Sequence, residues 1–209
     1  MMDSLDEISR IRRELKDGER KTVVLTRRYD ADVADVWDAC TDAERVARWF
    51  LPVKGDLRLG GTYQLEGNAG GKILACEPPS YLKVSWLYGE DPGFSEVELR
   101  LSADDGGTLF ELTHTAEVPP EMWGQFGPGA VGVGWDLALL GLGLYLAGGS
   151  MAEKDGFENT AEGRTFITAS SQAWGAAFEA AGASPETAAA AVAGTSAFFL
   201  PPANEETQA

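Results

Sequence analysis

Between Ser4 and Gly18 the apolar residues Ile8, Ile11 and Leu15 recur at helical spacing, with Ser4 placed as a cap. This pattern predicts an amphipathic leader helix over residues 4–16, within an N-terminal unit of residues 1–18. The period then drops to two. KTVVLTRRY is rich in β-branched residues and sets Val23 and Leu25 on one face, as a strand does. From Val33 to Phe50 the spacing is helical again, through Val36, Trp37, Cys40, Val46, Trp49 and Phe50. Asp32 or Asp35 can start this segment, Asp42 can cap a second short helix, and Pro52 ends it.

Six short strands follow, separated by turn signals: GDLRL, TYQLEG, GKILACE, YLKVSWLY, FSEVELRLS and TLFELTHTAEV. Successive strand residues point to opposite faces, so alternation sorts their side chains. Leu82, Val84, Trp86 and Tyr88 share a face, as do Val97, Leu99 and Leu101, opposed by Glu96, Glu98 and Arg100. In the last strand Phe110, Leu112 and His114 face inward, and His114 is the one histidine of the chain.

The most apolar stretch, GWDLALLGLGLYLAGG, carries one charge, Asp136. Its unbroken apolar part, residues 137–149, is shorter than the roughly 20 residues that cross a bilayer, so a buried helix is expected and no membrane. At a helical turn angle Trp135, Leu139, Leu142 and Leu146 share one face, while Leu137, Leu140 and Leu144 form a second stripe. Gly141 and Gly143 leave room for another backbone. A helix apolar on two sides needs two covers. Residues 151–209 offer one: Phe166, Ile167, Ser170, Trp174, Ala177 and Phe178 line a helix stopping at Gly182, and Ser184-Pro185 starts another. This hairpin is expected on the stripe, within the chain or across a homodimer, with Leu137, Leu140, Leu144, Phe166, Trp174 and Phe178 at the contact. The final PPANEETQA reads as a frayed tail.

A length of 209 residues fits one domain, residues 19–150, with this appendage. The net charge of -16 repels phosphate backbones, which argues against nucleic acid as a partner. Cys40 and Cys76 stand far apart without metal-ligand spacing, so no metal and no disulfide is expected. The charged N-terminus lacks a signal-peptide core, and the expected location is the cytoplasm.

A strand, a helix pair, an antiparallel meander and a long apolar helix form the order of an α+β helix-grip fold, a curved sheet around a C-terminal helix. The run VVLTRRYDADVADVWDACTDAERVARWFLP, then GDLRLGGTYQLEG, ILACEPPSYLKVSW, LTHT and GWDLALLGLGLYL, resembles the Hsp90 ATPase activator homologue (AHSA1) type of domain. That type belongs to the START and Bet v 1-like superfamily (SRPBCC). The resemblance spans about residues 21–148. It implies a cavity for a small apolar ligand; alternatively a co-chaperone-like role on an Hsp90-type ATPase, or a role in another protein partnership; and third a cyclase- or aromatase-like enzyme.

Gly127-Pro128-Gly129-Ala130-Val131-Gly132 matches a dinucleotide-binding fingerprint, but no buried parallel strand precedes it and no βαβ unit surrounds it. A glycine-rich connection is expected, and no cofactor. His114 can be a general base or a hydrogen-bonded cavity residue, and no nucleophile or partner constellation accompanies it. No catalytic residue is assigned. Tyr63, Trp86, Phe110, His114, Trp135 and Leu139 are the candidate lining, whether side chains fill the space or a ligand does.

Overall fold

In the computed structural model, which describes residues 4–90, 93–149 and 156–200, the elements run in the expected order. The expected frayed tail lies outside the described residues. A short helix α1 (Ser4–Ser9) leads into β1 (Arg12–Asp17) and β2 (Lys21–Tyr29). Helices α2 (Val33–Thr41) and α3 (Ala43–Trp49) follow, then β3 (Val53–Gly55), β4 (Thr62–Leu65), β5 (Gly70–Glu77), β6 (Tyr81–Ser85), β7 (Ser95–Asp104) and β8 (Gly107–Ala116). The chain closes with α4 (Pro120–Phe126), α5 (Gly129–Leu146), α6 (Ala161–Ala180) and α7 (Pro185–Phe199).

All eight strands form one curved antiparallel sheet in the order β1-β2-β8-β7-β6-β5-β4-β3, which wraps α5 in a helix grip. Alternation held along β7 and β8: Val97, Leu99, Leu101, Phe110, Leu112 and His114 are buried. The Asp42 carboxylate accepts the Arg45 N–H at the start of α3. Thr160 caps α6 and Ser184 caps α7 in the same way, with Pro185 in the first turn of α7.

Three expectations are corrected. The leader is helical for only six residues, and residues 12–17 join the sheet as an edge strand. Ile11 and Leu15, four apart, satisfy both periods, but exposed Arg12, Glu14 and Lys16 alternate with inward Arg13 and Leu15. Of GDLRL only Gly55 is in the sheet, as the last residue of the earlier strand Val53–Gly55, and residues 56–59 connect it to the next strand. The apolar helix starts at Gly129, five residues early, and α4 precedes it where a plain connection was expected.

The glycine pattern is a packing seam. Gly127, at φ +52°, joins α4 to α5, and a Cβ there would strike the Phe178 ring. A Cβ on Gly129 would strike Thr195, and one on Gly132 the Trp174 indole. Each glycine of the pattern thus admits a side chain of α6 or α7 to the surface of α5. By length and composition α5 is able to cross a membrane, yet Val133, Leu139 and Leu142 are buried between sheet and hairpin.

The hairpin cover lies within the chain, with α6 across α5, α1 and β1. Phe166, Trp174 and Phe178 are buried, and Leu140 with them, whereas Leu137 and Leu144 stay half-buried. The seam is turned toward Gly132 and Asp136, because Ser170 and Trp174 donate hydrogen bonds to the Asp136 carboxylate. Gly143 makes room for the Arg27 guanidinium rather than for a backbone.

Candidate functional site

Two spaces open between the sheet and α5. The inner one, about 180 Å³, is walled by Tyr63, Val84, Trp86, Val97, Phe110 and Trp135 among other apolar residues. The Tyr63 hydroxyl donates to the Ser85 carbonyl at 2.7 Å, so its proton is already engaged and Tyr63 offers the cavity no free donor. Burial raises the phenol above its ordinary range. Cys40 also lines the inner space, and burial pushes its thiol up to about 12, partly opposed by Arg45, so it stands there as an inert apolar wall.

The outer space is a cleft of about 520 Å³ bounded by Tyr88, Ser95, His114, Met122, Val131 and Phe198. Phe50, Trp86 and Trp135 line both spaces and form the partition between them. The Phe50 ring stacks 6.4 Å from Trp86 and 6.4 Å from Trp135, and those two indoles lie 5.0 Å apart. Aromatic rings held at such offsets attract one another and bury large apolar area at small entropic cost.

Polar groups converge beside the partition. Trp135 donates its indole N–H to His114 Nδ1 at 3.1 Å, and His114 Nε2 lies 2.8 Å from Ser95 Oγ. Indole nitrogen is a donor only, so Nδ1 must be the acceptor and Nε2 carries the single proton of a neutral imidazole. Burial holds the His114 pKa down to about 4, which keeps the ring neutral at physiological pH. Both ring nitrogens are therefore engaged, and the ring is a relay rather than a free base.

Of the residues singled out in the sequence, Tyr63, Trp86, Phe110 and Trp135 meet around the inner cavity, and His114 faces the outer cleft instead. Leu139 lines neither. Its carbonyl accepts hydrogen bonds from the Tyr29 hydroxyl at 3.0 Å and from Arg27 at 3.2 Å, which draws that part of α5 onto β2. Sequence reasoning missed Phe50 and Ser95. Phe50 stood in a helical stripe where core and cavity residues look alike, and Ser95 acquires its meaning only from its pairing of β7 with β8.

Among the described residues no group of three or more His, Cys, Asp or Glu side chains is placed to hold a metal. The backbone of the Gly127–Gly132 segment is pressed against α6 and α7, with no cradle for a phosphate there.

The model of the family described as activator of Hsp90 ATPase homolog 1-like protein matches residues 30–147. The crystal structure of CalU16 from Micromonospora echinospora is 39% identical with a TM-score of 0.66, over 81% of this chain and 98% of that one. Its solution structure is 41% identical with a TM-score of 0.68, over 82% and 96%. DynU16, a protein of the dynemicin biosynthetic locus, shares the fold at 21% identity and a TM-score of 0.54, over 60% of this chain and 47% of that one. A search of the curated proteins found no match.

Proposed function

The chain belongs to the activator of Hsp90 ATPase homolog 1-like family, and from that footing we propose that it is a non-catalytic module binding a small hydrophobic ligand between its sheet and α5. The observation that carries this reading is the pair of spaces meeting at Phe50, Trp86 and Trp135. Their combined size suits a small organic molecule, for which pockets of about 300–1,000 Å³ are usual. The inner 180 Å³ is the telling part, because protein interiors pack to crystal density and a core filled by side chains would leave little space of that size.

The polar chemistry favours binding over turnover. A neutral His114 with both nitrogens engaged supplies direction to a hydrogen bond, not a proton acceptor at pH 7. Native mass spectrometry of the protein purified from its own cells tests the proposal. A retained apolar molecule, released by organic solvent and lost on Trp86→Ala, is the expected result. Repeated absence of any bound species, together with no quenching of tryptophan emission by a panel of apolar compounds, overturns it. Stimulation of a cognate Hsp90-type ATPase by the purified protein would instead favour the chaperone reading carried by the family's description.

A further inference from the structure

The two compartments make different demands on an occupant. A dry apolar cavity of about 150 Å³ holds one benzene, and a water-sized group takes up about 30 Å³. The inner space of about 180 Å³ thus admits about six methylene-sized groups, and its walls are mostly apolar, the Thr41 and Tyr63 hydroxyls being spent on the Trp37 and Ser85 carbonyls. It has no room for a fused ring system. The outer cleft does, and Tyr88, Met122 and Phe198 stand exposed around it as apolar surface.

One donor is left over at the junction. The Trp135 N–H fixes His114 as acceptor at Nδ1, so Nε2–H donates to Ser95 Oγ and the serine proton must point elsewhere. It has no acceptor among the described residues. Ser95 lines the outer cleft together with Phe50, Trp86 and Trp135, and its partner His114 sits 6.3 Å from Trp86 and 5.9 Å from Trp135, ring to ring, which sets the serine on the cleft side of the partition. Among the described residues lining the cleft the one charged side chain is Glu117, ion-paired with Arg20, so no cation of the lining is left to receive an anion, and the net charge of -16 disfavours one further.

Resting on the binding reading above, we infer that the ligand has two parts joined at an acceptor oxygen: a flat, uncharged conjugated ring system in the outer cleft, and an apolar arm of about six carbons in the inner cavity, with Ser95 donating to the oxygen between them. The ring lies on the indole faces of the partition. The arm displaces the Phe50 contact to pass between the compartments.

Acyl-naphthalene probes test this directly, since 6-acyl-2-(dimethylamino)naphthalenes carry ring, carbonyl and arm in that order and report their surroundings by emission. Titrated into the intact protein, the hexanoyl probe is expected to bind at least tenfold more tightly than the acetyl probe. The dodecanoyl probe should gain nothing further. Ser95→Ala should weaken the hexanoyl probe about tenfold and leave 2-hexylnaphthalene, which has no carbonyl, within twofold. Affinity indifferent to arm length, or a Ser95→Ala effect equal on both compounds, overturns the two-part ligand. If no naphthalene binds while native mass spectrometry still finds a retained apolar molecule, the two-part ligand is wrong and the binding reading stands. If neither is seen, both fall.

Discussion

Arg13 and Asp136, 123 residues apart in sequence, meet at 3.0 Å with side-chain exposures of 7% and 0%. The carboxylate also accepts from Ser170 and Trp174, so the leader strand, the gripped helix and the hairpin converge on one oxygen. Burial raises the Asp136 carboxyl above its ordinary value, and Arg13 opposes that shift most strongly. Asp136 Oδ1 and one Arg13 nitrogen are buried without a partner, so the pair costs desolvation that it does not fully recover. Removing one member of such a pair is costly, while replacing both by apolar groups is often close to neutral. Asp136→Asn should lower the unfolding free energy by about 3–5 kcal/mol in urea titrations, and Asp136→Leu with Arg13→Met should recover most of that loss.

The glycine pattern makes a sharper contrast within one helix. A Cβ at Gly132 overlaps the Trp174 indole, and the seam must open to receive it, at about 1–3 kcal/mol. Gly134, two residues on, has nothing within reach of a Cβ. There the helix propensity of alanine acts alone and stabilises by about 1 kcal/mol. Thermal melts of Gly132→Ala and Gly134→Ala should move in opposite directions. A shared direction would mean that the α5 to α6 contact is not the one described.

Periodicity carried the sheet, the helix pair and the hairpin, because each burial face repeats along its own element. Where one pattern fits two periods it failed: Ile11 and Leu15 stand on one face of a helix or of a strand, and pairing with β2 decides. The site was legible only in part. Trp86 and Trp135 point inward by alternation and by helical angle, but whether inward rings fill a core or bound a cavity depends on volumes summed over many elements. Asp136 stood out as the single charge in an apolar run, yet its partner lies far away in sequence, and Leu139 falls where α5 meets β2, with Tyr29 and Arg27 donating to its carbonyl, a contact that no pattern within α5 reveals.

His114 imposes a pH dependence whose sign is fixed by its depressed basicity. In the unfolded chain it protonates near 6.5, and in the fold near 4. Between those values the unfolded state binds more protons, so stability is full above 6.5 and is lost as pH falls toward 4. The size of the effect is about 3 kcal/mol at most. Carboxylates titrate in the lower half of this window too, so the comparison is with His114→Gln. The variant should show a flatter decline between pH 6.5 and 5 in urea titrations, and parallel curves would show that the ring is not held neutral by burial.

The hairpin is predicted to be an integral cover rather than an ornament. It encloses α5 through the Gly127, Gly129 and Gly132 seam, it supplies two of the three groups that donate to Asp136, and Phe198 of α7 walls the outer cleft. Without it, Asp136 would keep only Arg13 as a partner, and the face of α5 bearing Val133 and Leu140 would meet water. Exposed apolar surface of that kind drives self-association. Deletion of residues 156–209 should therefore yield a protein that elutes as oligomers, binds 1-anilinonaphthalene-8-sulfonate and melts at a lower temperature. A truncated chain that stayed monomeric, with an unchanged melting temperature and no dye binding, would show that sheet and leader suffice to hold α5.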